Sequence, residues 1–174
     1  LSGCRAAGIH TAIETCGACE GSVLERLADL CDLVLYDVKL IDEGDHRRWT
    51  GASNALILAN ARRLAERNVV VRLPLIPGIT DTPQNVAGVA DFMQDVGLRR
   101  LELLPANPAA AAKYEWLGRR CAIADTAAPP GHAEALLAIA RAKGLHAEMG
   151  CWRWSRTSRP FKDRVDGPDA SPRG

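Results

Sequence analysis

The sequence predicts an α/β fold built on a parallel sheet, and two observations support that prediction. Short apolar runs rich in Val, Ile and Leu alternate with windows in which apolar residues recur at helical spacing. The segments between these runs are long enough to hold a helix, as parallel pairing requires. The 174 residues are enough for one domain with its own core. Right-handed crossovers of this kind produce either a doubly wound sheet or a barrel.

The first part of the chain contains two predicted strands and two predicted helices. Residues 8–15 and 32–40 are the strand candidates, and residues 21–31 between them form the first helix. A short polar segment follows, after which Ser53 or Asn54 can cap the second helix. The side chains expected on the inner faces of the two helices are Val23, Leu24, Leu27, Cys31, Ile57, Ala61, Leu64 and Ala65.

The pattern repeats in the second part. Strands are predicted at 69–78, 98–105 and, shorter, 145–149, and helices at 81–97 and 132–143. Asp81 or Thr82 with the following proline begins the earlier helix, and a glycine ends it. The side chains expected to face inward are Val86, Val89, Ala90, Met93, Ala133, Leu136, Leu137 and Ala140.

Both ends of the chain differ from this pattern. Residues 1–8 resemble the last turns of a helix, and we therefore expect a further segment upstream of Leu1. From Trp152 onward Arg, Ser, Pro, Asp and Gly dominate and the periodicity stops, which is typical of disorder. We predict a domain at 1–151 and a disordered tail at 152–174.

Composition excludes several classes of protein. The formal net charge is +1, so bulk electrostatics gives no indication of a nucleic acid or membrane partner. No apolar run approaches the roughly 20 residues that a membrane span needs. Six cysteines are scattered through this helix-rich chain, whereas small secreted disulfide frameworks are loop-rich and denser in cysteine, so we expect a reducing, cytoplasmic setting.

Cys16 and Cys19 have Cys-x-x-Cys spacing, which is compatible with three interpretations. A zinc site would need a second Cys or His pair at ligand spacing, and none follows. A thiol redox couple would suit the strand-to-helix position, although nothing else suggests a thioredoxin layout. Two ordinary thiols in a loop is the interpretation that the sequence favours.

Unexpected polar residues lie at or near the predicted carboxyl ends of the strands, where active sites of barrel and open α/β folds are built. Such a group could hold a small zwitterionic molecule, with the lysine on a carboxylate and the acids on an ammonium or a bound cation. Alternatively, the aspartate and lysine of the second strand only pair with neighbours inside the fold. These residues are Glu14, Thr15, Asp37, Lys39, Arg72 and Asn107.

Four segments that contain these residues resemble one known family. They are "GIHTAIETCG", "DLVLYDVKLIDEGDHRRWTG", "VRLPLIPGITD" and "LELLPANPAAAAKYEWLG". In order and spacing they are similar to the strand-end motifs of the glycyl-radical-enzyme activating enzymes, of the pyruvate formate-lyase activating enzyme type. That family belongs to the radical S-adenosylmethionine (radical SAM) superfamily. The resemblance extends over about residues 4–149.

The resemblance implies a fold and a chemistry. The fold would be a partial (β/α)6 radical SAM barrel, TIM-like, that lacks its first two strands in this chain. Members of the family use a [4Fe-4S] cluster and S-adenosylmethionine, with electrons from a flavodoxin- or ferredoxin-type donor. They remove a hydrogen atom from a glycine of a partner glycyl radical enzyme.

The resemblance also implies roles for individual residues. Glu14 and Thr15 would lie near the methionyl end of the cofactor. Asp37 would help Glu14 to hold a monovalent cation. Lys39 would lie near the cofactor carboxylate and the partner's glycine, as the catalytic residue. The remaining cofactor-binding positions would be Arg72, Pro74 and Asn107.

The sequence departs from the family in three respects. The cluster motif Cys-x3-Cys-x2-Cys and the Gly-Gly-Glu motif are both absent. Asn107 stands where the family usually has a histidine. We therefore expect a fragment that is inactive alone, its missing motifs lying upstream of residue 1. The alternatives are a non-catalytic α/β module that binds an S-adenosylmethionine-like molecule and a thiol redox protein that uses Cys16 and Cys19.

Overall fold

Five strands form a parallel sheet in the order β1-β2-β3-β4-β5, so each strand pairs with its neighbour in the chain. The computed structural model describes residues 1–106, 110–119 and 128–150. Within these residues the predicted parallel α/β sheet is confirmed. The strands are β1 (Ala12–Thr15), β2 (Leu33–Asp37), β3 (Val69–Leu75), β4 (Arg100–Pro105) and β5 (His146–Met149).

Helices connect the strands. Each strand-to-strand connection contains at least one helix among the described residues, which is the arrangement that parallel pairing demands. The helices are α1 (Ser2–Ala6), α2 (Gly21–Asp29), α3 (Glu43–Thr50), α4 (Ala55–Arg63), α5 (Pro83–Val96), α6 (Ala110–Trp116) and α7 (His132–Ala142).

The hydrophobic core lies between the helices and one face of the sheet. Alternate residues of the strands point to that face, and nearly all of them are fully buried. Tyr36 on β2 is completely buried, and its hydroxyl donates to the carbonyl of Ile57 on α4 at 2.7 Å. The other core residues that the strands contribute are Val34, Val69, Val71, Leu73, Leu75, Leu101, Leu103 and Ala147.

The predicted limits of α5 agree with the structure because local signals determine them. Thr82 is the N-cap, and its hydroxyl accepts from the backbone N–H of Asn85 at 3.2 Å. Gly97 ends the helix with φ +87°, a left-handed conformation that suits glycine. The four side chains expected to face inward, Val86, Val89, Ala90 and Met93, are fully buried.

Two expectations about the first half were wrong. The polar segment after β2 contains a helix, α3, which carries few apolar residues and buries only His46. The predicted inner face of α2 was correct at Leu24 but wrong at Val23 and Leu27. Leu24 and Ala28 are buried, whereas Val23 is 41% exposed and Leu27 is 39% exposed.

The tail predicted at 152–174 lies outside the described residues, so the domain boundary stays a prediction. No helix among the described residues is long and apolar enough to cross a membrane.

Candidate functional site at the carboxyl rim of the sheet

A row of charged residues crosses the sheet on the face opposite the packed helices. The strand register places Asp37 of β2 opposite Arg72 of β3, Arg72 opposite Glu102 of β4, and Glu102 opposite Glu148 of β5. Side chains in register on adjacent strands lie on the same face of the sheet. Four charges from four strands are therefore neighbours, three of them acidic and one basic.

Arg72 is the centre of this row. Its side chain is only 8% exposed, and its Nη1 lies 2.8 Å from Oε2 of Glu14 on β1. Its Nε lies 3.8 Å from Oδ1 of Asp37. The guanidinium thus lies close to both carboxylates to which the family resemblance assigns a monovalent cation. The Arg72 end of the Glu14 pair is buried, whereas the Glu14 side chain is 55% exposed, so solvent partly screens that interaction.

Lys39 lies two residues beyond the end of β2, next to Asp37. Its Nζ lies 3.5 Å from Oδ2 of Asp37, and its side chain is 36% exposed against 20% for Asp37. Oδ1 of Asp37 is buried and accepts no hydrogen bond from any described residue. Asp37 and Lys39 therefore pair with each other, in agreement with the alternative of pairing inside the fold that the sequence left open. This pairing leaves the ammonium partly exposed and one carboxylate oxygen unsatisfied.

Glu102 differs electrostatically from the other acids. Burial raises its pKa above the ordinary glutamate value, and the nearby Glu148 carboxylate raises it further. Arg72 and Arg100 act in the opposite direction without cancelling the effect. The row therefore contains one acid that holds its proton more strongly than an exposed glutamate does.

The loop after β1 is held by three hydrogen bonds with two polar side chains. The hydroxyl of Thr15 accepts from the backbone N–H of Gly17 at 3.0 Å. The buried amide of Asn60 on α4 donates to the carbonyls of Gly17 and Cys19, both at 2.8 Å. Thr15 therefore organises the loop, whereas Glu14 beside it contacts Arg72.

The loop after β2 is fastened by two buried asparagines. Asn54 donates to the carbonyls of Leu40 and Ile41 at 3.0 and 2.9 Å. Asn85 donates to the carbonyl of Lys39 and accepts from the N–H of Ile41, both at 2.9 Å. Asn54 occupies the N-cap position of α4 as predicted, but its side chain makes no capping bond because it serves this loop instead.

The loop after β3 is closed by Thr80 and Asp81. The N–H of Ile76 donates to the Thr80 hydroxyl at 2.7 Å, and the N–H of Gly78 donates to Asp81 at 2.6 Å. Nε2 of His132 at the start of α7 lies 2.8 Å from the Asp81 carbonyl. The three loops at this end of the sheet are thus held by hydrogen bonds to buried polar side chains.

Sequence reasoning missed the asparagines as organisers of the site. A recognisable signal existed at Asn60 and Asn85, because both polar residues lie on helix faces that are otherwise buried and apolar. A buried amide needs hydrogen-bond partners, so such a position indicates a contact with backbone elsewhere in the fold. No local pattern could name which loop provides that backbone.

The remaining predicted positions are a proline, an asparagine and three cysteines. Pro74 lies on β3 two residues beyond Arg72 and is half-buried. Asn107 lies outside the described residues. Cys16 and Cys19 are free thiols that pack partly against the core. Cys31, expected on a buried helix face, follows the end of α2 and is only half-buried.

The described residues fit the cofactor better than the cluster. An ammonium group, a guanidinium and an unsatisfied carboxylate oxygen are chemically suited to the charged methionyl end of S-adenosylmethionine. By contrast, the described residues contain no group of three His, Cys, Asp or Glu side chains able to hold a metal ion. The Cys-x3-Cys-x2-Cys motif that would hold a [4Fe-4S] cluster is absent from the 174 residues.

Comparison with known proteins places the chain among activating enzymes. It is 40% identical over 116 residues to the trans-4-hydroxy-L-proline dehydratase activating enzyme of Clostridioides difficile, a match that covers 64% of the chain and 38% of that protein. It is 34% identical over 146 residues to the pyruvate formate-lyase 2-activating enzyme of Escherichia coli K12, covering 82% of the chain and 50% of that protein. No family model matches.

Solved structures agree. A domain of a pyruvate-formate lyase-activating enzyme from Bacteroides vulgatus superposes with a TM-score of 0.71 at 25% identity, covering 86% of each chain. A radical SAM methyltransferase from Sphaerobacter thermophilus is similar in fold alone, with a TM-score of 0.56 at 16% identity, covering 83% of the chain and 42% of that protein. The chain spans half or less of the length of the curated relatives described above. It belongs to the glycyl-radical-enzyme activating enzymes of the radical SAM superfamily.

Proposed function

We propose that this chain provides the part of a glycyl-radical-enzyme activating enzyme that holds S-adenosylmethionine and receives the partner's glycine. The observation that carries the proposal is the meeting of Glu14, Asp37, Lys39 and Arg72, which come from three adjacent parallel strands and the loop after β2. The whole protein would be a cytoplasmic oxidoreductase that acts on a glycyl radical enzyme. Its electrons would come from a flavodoxin- or ferredoxin-type donor.

S-adenosylmethionine together with a reduced [4Fe-4S] cluster supplies the radical chemistry in this family. The residues of this chain bind and orient. Lys39, partly exposed beside Asp37, would pair with the cofactor carboxylate. Asp37, with its unsatisfied Oδ1, would accept from the cofactor ammonium or share a monovalent cation with Glu14. Arg72 would keep those two carboxylates in position.

Three further expected positions complete the proposal. Thr15 would hold the loop that borders the methionyl end of the cofactor, since its hydroxyl already binds the N–H of Gly17. Pro74 would contact the cofactor from β3, and Asn107 from the segment after β4. The cluster would need ligands that this chain does not contain, so we assign none of its residues to it.

Calorimetry with S-adenosylmethionine on the 174-residue chain tests the proposal. We expect measurable binding and a loss of about tenfold or more in affinity for Lys39→Ala, because a charge-assisted contact disappears. Lys143→Ala is the matched control. Its side chain is 38% exposed and pairs with Asp91, so it resembles Lys39 in exposure and pairing but lies far from the rim.

Two results would contradict the proposal. Failure of the unaltered chain to bind at millimolar S-adenosylmethionine would remove the cofactor site. Equal affinities for Lys39→Ala and Lys143→Ala would remove Lys39 from it.

A further inference from the structure

A cavity of about 400 Å³ opens beside the candidate site, and none of the roles described above uses it. We call it the rim pocket, and its principal walls are Ile41, Asp42, Asp45, Arg48, Trp49 and Ile79. They come from the loop after β2, from α3 and from the loop after β3. The volume is within the range of sites that receive a side chain or a small ligand.

The rim pocket is continuous with the candidate site. Its wall begins at Leu40 and Ile41, directly after Lys39. The side chain of Asn85 joins the two regions, because it binds the carbonyl of Lys39 and the N–H of Ile41. Anything that crosses the rim to reach Lys39 from the α3 side passes over this pocket.

The walls combine an aromatic surface with charge. Trp49 is 48% exposed, which is unusual for so large an apolar side chain, and Ile41 and Ile79 beside it are half-buried. The guanidinium of Arg48 stands over the indole at 5.4 Å. Asp42 and Asp45 add two exposed carboxylates. Trp and Arg next to a cavity are the residue types that dominate binding energy in protein interfaces.

The pocket is formed in advance of binding. The Asp42 carboxylate caps α3 by accepting from the N–H of Asp45 at 2.8 Å. Nδ1 of the buried His46 lies 2.8 Å from the carbonyl of Ala52, which anchors the other end of the helix. A surface that is already ordered loses little conformational entropy when a partner docks on it.

We propose that the rim pocket binds the polypeptide of the glycyl radical partner immediately beside its target glycine. This inference rests on the proposed function, in which that glycine must reach Lys39. An extended chain advances about 3.3 Å per residue, so residues a few positions from the glycine would lie over the pocket. An apolar or aromatic side chain would pack on Trp49, Ile41 and Ile79. A basic neighbour would face Asp42 and Asp45.

The test uses a fluorescein-labelled peptide from the glycyl radical enzyme of the same genome. The peptide carries about ten residues on each side of the glycine. Each of these arms spans roughly 33 Å when extended. Fluorescence anisotropy measures its affinity for the 174-residue chain. Trp49→Ala should weaken binding about tenfold or more, and Arg48→Ala several-fold. Trp49→Phe should recover most of the loss, because an aromatic surface remains.

Arg47→Ala is the matched control. Arg47 is the neighbour of Arg48 on α3 but pairs with Glu43 away from the pocket, so its removal should change affinity by less than about twofold. Circular dichroism checks that each variant keeps the fold. Equal peptide affinity for Trp49→Ala, Arg47→Ala and the unaltered chain would overturn the proposal.

Calorimetry with S-adenosylmethionine on the same proteins separates the two proposals. Trp49→Ala should bind the cofactor as the unaltered chain does. Cofactor binding without peptide binding would refute the rim pocket alone. Peptide binding that depends on Trp49, without cofactor binding, would support the pocket and refute the cofactor site.

Discussion

Among the described glycines, Gly17 has the least room for a side chain, because its backbone lies against the ring of Tyr36. Gly17 has φ +67°, and a Cβ there would overlap the Tyr36 hydroxyl. Tyr36 cannot move away, because it is completely buried and its hydroxyl donates to Ile57. Burial also raises its pKa far above the usual tyrosine value, so it stays a donor. The loop that carries Cys16 and Cys19 is therefore positioned by a glycine.

Gly17→Ala should lower the free energy of unfolding by about 3 kcal/mol, since left-handed strain and overpacking each cost about 1–2 kcal/mol. Gly51→Ala separates the two effects. Gly51 has φ +79° with no atom near its missing Cβ, so only the strain of about 1 kcal/mol remains. Urea unfolding of both variants measures the difference. Equal losses in the free energy of unfolding would show that the Tyr36 side chain moves aside without cost.

Glu102 and Glu43 should give opposite pH dependences. Because the pKa of Glu102 is raised by burial and by Glu148, the folded chain keeps a proton that the unfolded chain has lost. Its contribution to stability therefore falls as pH rises from the ordinary glutamate value through the raised one. Glu102→Gln should gain stability relative to the unaltered chain over that interval.

For Glu43 the sign reverses, because hydrogen bonds from Ser53 and Arg47 lower its pKa. Its contribution is present above the ordinary glutamate value and is lost as pH falls through the lowered one. Glu43→Gln should therefore cost most at neutral pH. Urea midpoints between about pH 3 and pH 7 measure both variants. Parallel stability curves for the two variants would contradict the opposite pKa shifts of Glu102 and Glu43.

At the scale of elements, the loops of the candidate site depend on helices that follow them in the chain. Asn60 of α4 holds the loop after β1, and Asn85 of α5 holds the loop after β2. Each asparagine joins backbone more than 40 residues away, the separations being 43 and 46. The rim is thus assembled only when sheet and helices have packed.

Asn85→Ala should destabilise the chain by about 2–3 kcal/mol, because it leaves the N–H of Ile41 and the carbonyls of Lys39 and Thr80 without their partner. Amide hydrogen exchange at Ile41 should accelerate at the same time. The control is Asn68→Ala, an exposed asparagine whose amide donates to the Asp32 carbonyl, with an expected loss below about 1 kcal/mol. Unchanged exchange at Ile41 would show that Asn85 does not hold the loop.

At the scale of the whole molecule, the chain contains the charged groups that we propose for cofactor binding but no cluster motif. Reconstitution with iron and sulfide under reducing conditions should therefore give no stoichiometric [4Fe-4S] cluster, since the three-cysteine ligand set is absent. Iron and sulfide analysis with the visible spectrum measures this. A cluster that is complete and survives gel filtration would require ligands that we have not recognised.

Predictions from the sequence were correct where a structural feature depends on neighbouring residues in the chain. The alternation of strands and helices and both ends of α5 were predicted correctly, because a cap, a proline and a glycine act on their immediate neighbours. Helix α3 was missed because its surface is polar on nearly every side and offers no periodic apolar face. The buried face of α2 was predicted only in part, since the sequence shows amphipathicity but not the direction of the sheet.

By itself the sequence determined the order of the elements, the parallel sheet, the positions of Glu14, Asp37 and Lys39 near strand ends and that of Arg72 within the third strand. Tertiary structure alone decided their relations. The register between strands separated by 35 residues brings Arg72 opposite Asp37 and within reach of Glu14. That register follows from packing of the core, to which every element contributes, and no local pattern encodes it.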